Sequence, residues 1–204
     1  MSLKKSQCQP PKANIRKIAI TGGIGSGKSY VCRSIEAAGY PIFYCDDEAK
    51  RIIRSDRKVQ QALSKLVGKG VYNEQGQLVK PVLAAYLCRG KAYAAQVDAI
   101  VHPRVGECFL EWCEQQTTDK VFMECALLFE SGFNRYVDFT IHVAAPQEVR
   151  LNRVMARDSV SQAKALEWMA LQLPEEEKAK RADYIINNDG NTEIEPQIRQ
   201  ILED

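Results

Sequence analysis

The stretch IAITGGIGSGKSY, Ile18–Tyr30, passes from an apolar run into four glycines and then a lysine and a serine. Glycine reaches backbone conformations closed to other residues, so a loop this rich in it can turn successive N–H groups toward one point. The residues on either side give that loop a setting. KIAIT, before it, reads as a buried strand, and SYVCRSIEAAG, after it, reads as a helix that Gly39 terminates. A helix N-terminus adds partial positive charge to the loop's donors, and the missing partner is an anion.

The spacing Gly22-x-x-x-x-Gly27-Lys28-Ser29 is a P-loop pattern in the context that the pattern requires. Gly23, Ile24, Gly25, Ser26, Gly27, Lys28 and Ser29 are therefore expected around the phosphates of a nucleotide. Lys28 reaches the β- and γ-phosphates, and the Ser29 hydroxyl is a ligand for Mg²⁺.

Working outward, short apolar runs recur as PIFYC, KVFMECALLF, DFTIHVA and DYIIN, with helix-like segments between them. This alternation predicts an α/β fold: about five parallel strands covered by helices on both faces. It is interrupted twice. Residues from about 47 to 116 show mainly helical patterning and read as an inserted helical subdomain; residues from about 147 to 180 read as a helical lid. Residues 1–14, polar and carrying Pro10 and Pro11, read as a mobile tail, leaving 15–204 as a single domain.

Bulk properties exclude several classes. A net charge of +2, from 28 basic and 26 acidic residues, gives no general grip on nucleic acid. No apolar run approaches the roughly 20 residues that span a bilayer, and the N-terminus lacks a secretory apolar segment. A cytoplasmic chain without a membrane partner is the expectation, as a monomer or weak homo-oligomer. The seven cysteines include no CxxC and mostly sit in apolar segments, as reduced core residues do.

A P-loop serves switches, motors and kinases alike. There is no NKxD and no DxxG after the loop, which argues against a switch GTPase. Asp46 stands directly after the second apolar run, at the strand end where an α/β sheet binds its ligand. It reads either as a group that aims a hydroxyl nucleophile or as a helix N-cap, with Asp47 the neighbouring competitor. Arg150, Arg153 and Arg157, spaced by three and four, fall along one helical face of the lid.

The ordered motifs IAITGGIGSGKS, YCDDEAKRI, IVHPRV, ECALLFESG, RLNRVMARD and ADYIINNDG resemble those of the dephospho-coenzyme A kinases, over nearly all of Ile15 to Gly190. The resemblance implies a P-loop kinase that moves the ATP γ-phosphate, with Mg²⁺, to the ribose 3′-hydroxyl of dephospho-CoA. It implies Asp46 and Lys28 as catalytic groups with Arg153, and Arg157 and Asn188 near ATP, although Asn188 also suits a turn. It implies Glu124 near Mg²⁺ and His102, followed by Pro103, in the acceptor subdomain. Leu127 to Glu130 match a PLLFE segment whose proline is Ala126 here. Tyr44 stands where an acid is usual and either lines the acceptor pocket or packs; Lys50 replaces an arginine, leaving Arg51 and Arg54 as forked anchors for acceptor phosphate. The rival readings are a kinase of nucleosides or nucleoside monophosphates, and a nucleotide-dependent regulatory module.

Overall fold

The computed structural model describes residues 15–203; the tail expected over 1–14, with Cys8, lies outside them. The five apolar runs form the strands β1 (Arg16–Thr21), β2 (Ile42–Tyr44), β3 (Lys120–Glu124), β4 (Phe139–Ala144) and β5 (Tyr184–Asn187). All pair in parallel, in the order β2-β3-β1-β4-β5. Ile20 and Tyr44 both sit opposite Glu124, so β1, β2 and β3 end nearly level. Three chain segments thus leave the sheet at one edge.

Strand parity divides the core. Ala19, Phe43, Cys45, Val121 and Met123 face one side, whereas Ile18, Ile20, Phe122, Ile141 and Ile186 face the other. Two helices cover that second side: α1 (Lys28–Ala37), with Val31, Cys32 and Ile35 buried, and α9 (Ile194–Glu203), with Ile194, Ile198 and Ile201. Gly39, at φ +92°, ends α1 by donating to the Glu36 carbonyl at 2.9 Å, in the left-handed geometry that glycine adopts without strain.

The first side is covered by α2 (Cys45–Ser55), α3 (Arg57–Val67), α4 (Lys80–Leu87) and α5 (Lys91–Cys113). Val97, Val101, Val105 and Phe109 of α5 recur every fourth residue and bury a stripe, with the Phe109 ring 5.4 Å from that of Phe43 on β2. The helical block therefore shares one continuous core with the sheet. Asp56 caps α3, accepting from Lys58 and Val59 N–H groups at 2.9 and 3.2 Å, and its other oxygen takes Arg104 of α5 at 3.0 Å. The joint between α2 and α3 is so fastened to α5.

The segment expected as a lid holds α6 (Gln147–Asp158), α7 (Gln162–Met169) and α8 (Glu175–Arg181). Its Leu151, Val154 and Ala165 form a small separate cluster, and Ile24 of the phosphate loop packs against it. Of the described cysteines, Cys32, Cys45, Cys108, Cys113 and Cys125 are buried, Cys88 is exposed, and all are free thiols.

Gly106 lies buried on α5 where a Cβ would collide with the Tyr136 ring. Alanine in a helix gains about 1 kcal/mol over glycine, but overpacking costs about 1–3 kcal/mol. Gly106→Ala should therefore lower unfolding free energy by up to about 2 kcal/mol in urea titration; a stabilised variant would show that this contact is loose.

Candidate active site

The phosphate loop is shaped by what it lacks. Gly27 sits at φ +92°, and a Cβ there would strike the Asn188 amide; a Cβ on Gly23 would strike Glu175 and Arg150. The loop's carbonyls are drawn outward. Asn188 Nδ2 donates to the Ser26 carbonyl at 2.7 Å, and Arg153 Nη1 lies 3.4 and 3.5 Å from the Ser26 and Gly25 carbonyl oxygens. Arg153 in turn donates to the Asn188 carbonyl at 3.0 Å and to its Oδ1 at 3.2 Å. Two of the loop's amides are already taken, the Ser26 N–H by the Gly23 carbonyl at 3.0 Å and the Ile24 N–H by Gln172 Oε1 at 2.8 Å, and Gly27, Lys28 and Ser29 lead into the N-terminus of α1, which no side chain caps.

They face a cavity of about 980 Å³. Its lining includes Gly23, Lys28, Ser29, Asp46, Arg153 and Arg157. The sequence-predicted phosphate loop, candidate base and lid arginines are therefore brought together. Asp46 lies within the first turn of α2 beside Asp47 and Glu48, where the helix dipole favours negative charge, and no side chain caps α2. That removes the N-cap alternative. Asp47 turns to Lys50 at 2.8 Å and does not line the cavity.

Lys28 forms an ion pair with Glu124, which is buried at the end of β3. Burial holds the Lys28 ammonium below the ordinary lysine range, opposed by nearby Cys32 and Asp46. A buried lysine with one carboxylate partner is a cation poised for more negative charge.

Other expected residues lie apart from the cavity lining. Tyr44 packs on the α1 side of the sheet, where burial and then Glu36 push its hydroxyl up to about 12. Lys50 pairs with Asp47, and Arg51 with Glu48 at 2.5 Å, along the exposed side of α2, with Arg54 in its last turn. His102 sits on α5, its Nε2 3.5 Å from the Asp98 carboxylate and its ring edge-on to Phe133. The arginine stripe splits. Arg150 is buried beneath the loop, donating to the Ala145 carbonyl at 3.2 Å, whereas Arg157 stays at the rim, 2.7 Å from Asp158.

The cavity also uses residues that sequence reasoning missed: Tyr30, Arg33 and Gln172. Arg33 had a signal, because it lies four residues after Ser29 and so on the same face of α1. A smaller cavity of about 390 Å³ adjoins at Gly27, Tyr30 and Arg153, lined also by Asn188, Gly190 and Thr192.

Residues 16–193 match the family model described as dephospho-CoA kinase. The chain belongs to the dephospho-CoA kinase family. A dephospho-CoA kinase of Bacteroides fragilis is 41% identical over 187 residues, 91% of each chain, and one of Salinibacter ruber is 38% identical over 176, covering 85% of this chain and 88% of that one. A Thermus thermophilus crystal structure superposes with TM-score 0.79 at 33% identity, covering 93% of this chain and 96% of that one. A shikimate kinase from Acinetobacter baumannii, at 14% identity and TM-score 0.51 over 94% of this chain and 93% of its own, shares the fold alone. The kinase family supplies what the cavity leaves open: ATP-dependent phosphorylation of dephospho-CoA.

Two outcomes follow for a dephospho-CoA kinase built this way. Left-handed backbone costs alanine about 1–2 kcal/mol, so Gly27→Ala should weaken ADP binding by calorimetry about five- to thirtyfold; unchanged affinity would show that the loop relaxes. Because Lys28 titrates low, kcat/KM for ATP should fall with rising pH from below the ordinary lysine value of about 10.4. Lys28→Arg, which stays charged, should lose that limb; a limb that persists would belong to another group.

Proposed function

We propose that the cavity is where the ATP γ-phosphoryl group passes to the ribose 3′-hydroxyl of dephospho-CoA, with Asp46 aiming the attacking oxygen. The observation that carries this is the meeting of Asp46 with the phosphate loop and Lys28 in one cavity. The new bond joins the 3′-oxygen to the γ-phosphorus, and the bond from that phosphorus to the β,γ-bridging oxygen breaks, releasing ADP. The hydroxyl proton goes to Asp46 late and then to solvent, since a loose transition state demands positioning before basicity.

Lys28, Arg153 and Arg157 would offset charge on the phosphates as it shifts toward ADP. The donor set also fits Mg²⁺. Among the described residues no three His, Cys, Asp or Glu side chains form a metal cage, and Mg²⁺ needs few protein ligands because phosphates and water supply the rest. The Ser29 hydroxyl would hold it directly and Glu124 through water. Bound there, the ion would neutralise charge on the phosphates.

ATP's base and ribose would extend into the smaller cavity beside Asn188, which shares Gly27 and Arg153 with the main one. The α2–α5 block would receive the acceptor, with Lys50, Arg51 and Arg54 for its phosphates and His102 deeper in that block. Closure of the α6–α8 segment would keep water from the γ-phosphate.

The test is ADP release coupled to mass analysis of the product, offering dephospho-CoA beside adenosine, AMP and CMP. Coenzyme A should form only from dephospho-CoA. Asp46→Asn should lose about 10²–10⁴-fold in kcat, the range of a positioned acid–base group, while ADP affinity holds within about twofold. Phosphorylation of another acceptor would overturn the substrate, and ADP without a phosphorylated product would favour the regulatory module.

A further inference from the structure

The loop joining α7 to α8 sends one side chain back onto the phosphate loop. Gln172 Oε1 accepts the Ile24 N–H at 2.8 Å across 148 residues of chain, and Gln172 lines the main cavity. An amide already held by Gln172 is not free for phosphate, so the anion is left to the donors that follow it. A bond at Ile24 fixes the peptide plane at the front of the loop, where the Ser26 N–H turns back to the Gly23 carbonyl at 3.0 Å.

The next residue is fixed independently. The Leu173 N–H donates to Glu130 Oε1 at 2.8 Å, and that same oxygen lies 3.4 Å from the Lys178 ammonium. Lys178 has no exposed surface and also donates to the Ala126 carbonyl at 3.2 Å. A buried ammonium holds its carboxylate firmly, because separating them strands a charge away from water. Consecutive residues 172 and 173 are thus tied to two cavity walls: the phosphate loop, and the turn after β3 where Ala126 lies. The Ile24 side chain adds an apolar anchor on the α6–α7 cluster.

The opposite rim of the loop is held through its carbonyls by Arg153 and Asn188. Gln172 acts on the other polarity, through an N–H. A neutral acceptor suits this place, since a carboxylate would accept the same bond but repel the incoming phosphates. We propose that Gln172 is a positioning residue for phosphoryl transfer, holding the front turn of the phosphate loop in its binding shape, with its own place set by Glu130 and Lys178. The proposal rests on the kinase reading for its kinetic consequences only.

The test begins with Gln172→Leu, which removes the acceptor at a half-buried site and leaves the core intact. In nucleotide-free protein, amide exchange at Ile24 should quicken. The loss of one such bond predicts roughly a five- to tenfold rise in ADP Kd and in KM for ATP. KM for dephospho-CoA should stay within about twofold, since Gln172 acts on the nucleotide side. Glu130→Ala combined with Lys178→Met removes both halves of the ion pair, frees Leu173, and should reproduce the rise. Adding Gln172→Leu to that pair should then change little, because the residues act as one unit. Unchanged Ile24 exchange with unchanged ATP KM would overturn the proposal. So would a lowered melting temperature with unaltered ADP affinity, which marks a merely structural contact, or full additivity of the variants. ADP affinity and amide exchange do not depend on the acceptor, so a wrong acceptor would appear as an idle wild type while these readouts still judge Gln172.

Discussion

A loop can offer its amides to an anion only if its carbonyls have somewhere else to go, and in this kinase that constraint is met by side chains from distant parts of the chain. Asn188, from beyond β5, holds the Ser26 carbonyl, and Arg153, from α6, spans Asn188 and the loop. The phosphate site is therefore finished only when β5 and α6 have docked, although its glycines lie in the first connection. Preorganisation of this kind spares the enzyme the work of ordering donors at the moment of reaction.

The second constraint is charge. The sheet edge holds two lysines shielded from water, Lys28 and Lys178, each beside a carboxylate from the segment that ends β3 or follows it: Glu124 and Glu130. These pairs keep the interior near neutrality before substrate arrives. They differ in outlook. Lys28 opens on the cavity, whereas Lys178 is sealed behind Ala126. One cation is available for phosphate, and the other serves architecture.

Much of this was legible in the sequence. Five apolar runs became five strands because helix-patterned segments separate them, as a parallel sheet requires, and the glycine spacing placed the phosphate loop where a strand meets a helix. The place of Asp46 in the cavity lining was legible from its position just past a strand. Tyr44 had two readings open, and strand parity decides between them: Phe43 and Cys45 face the helical block, so the residue between them must face α1. The arginine spacing correctly gave a shared helix but not its rotation, which buries Arg150 and leaves Arg157 at the rim. Gln172, and the grip of Arg153 and Asn188 on the loop, had no local signal at all. Their partners are more than a hundred residues away, and only the closed topology brings them together.

The helical block over the sheet has one more consequence. Because Phe109 and Phe43 pack in a core common to both, and Arg104 of α5 is fastened to Asp56, the block has no greasy seam of its own along which to slide. Asp46 is rooted two residues past the end of β2 and inherits that stiffness. The outward face of α2 is a different matter: Lys50, Arg51 and Arg54 are exposed there, with Arg51 Nη2 reaching Cys108 of α5 at 3.8 Å. Sequence drift on that outer surface can change its charge while the core that roots Asp46 stays as it was.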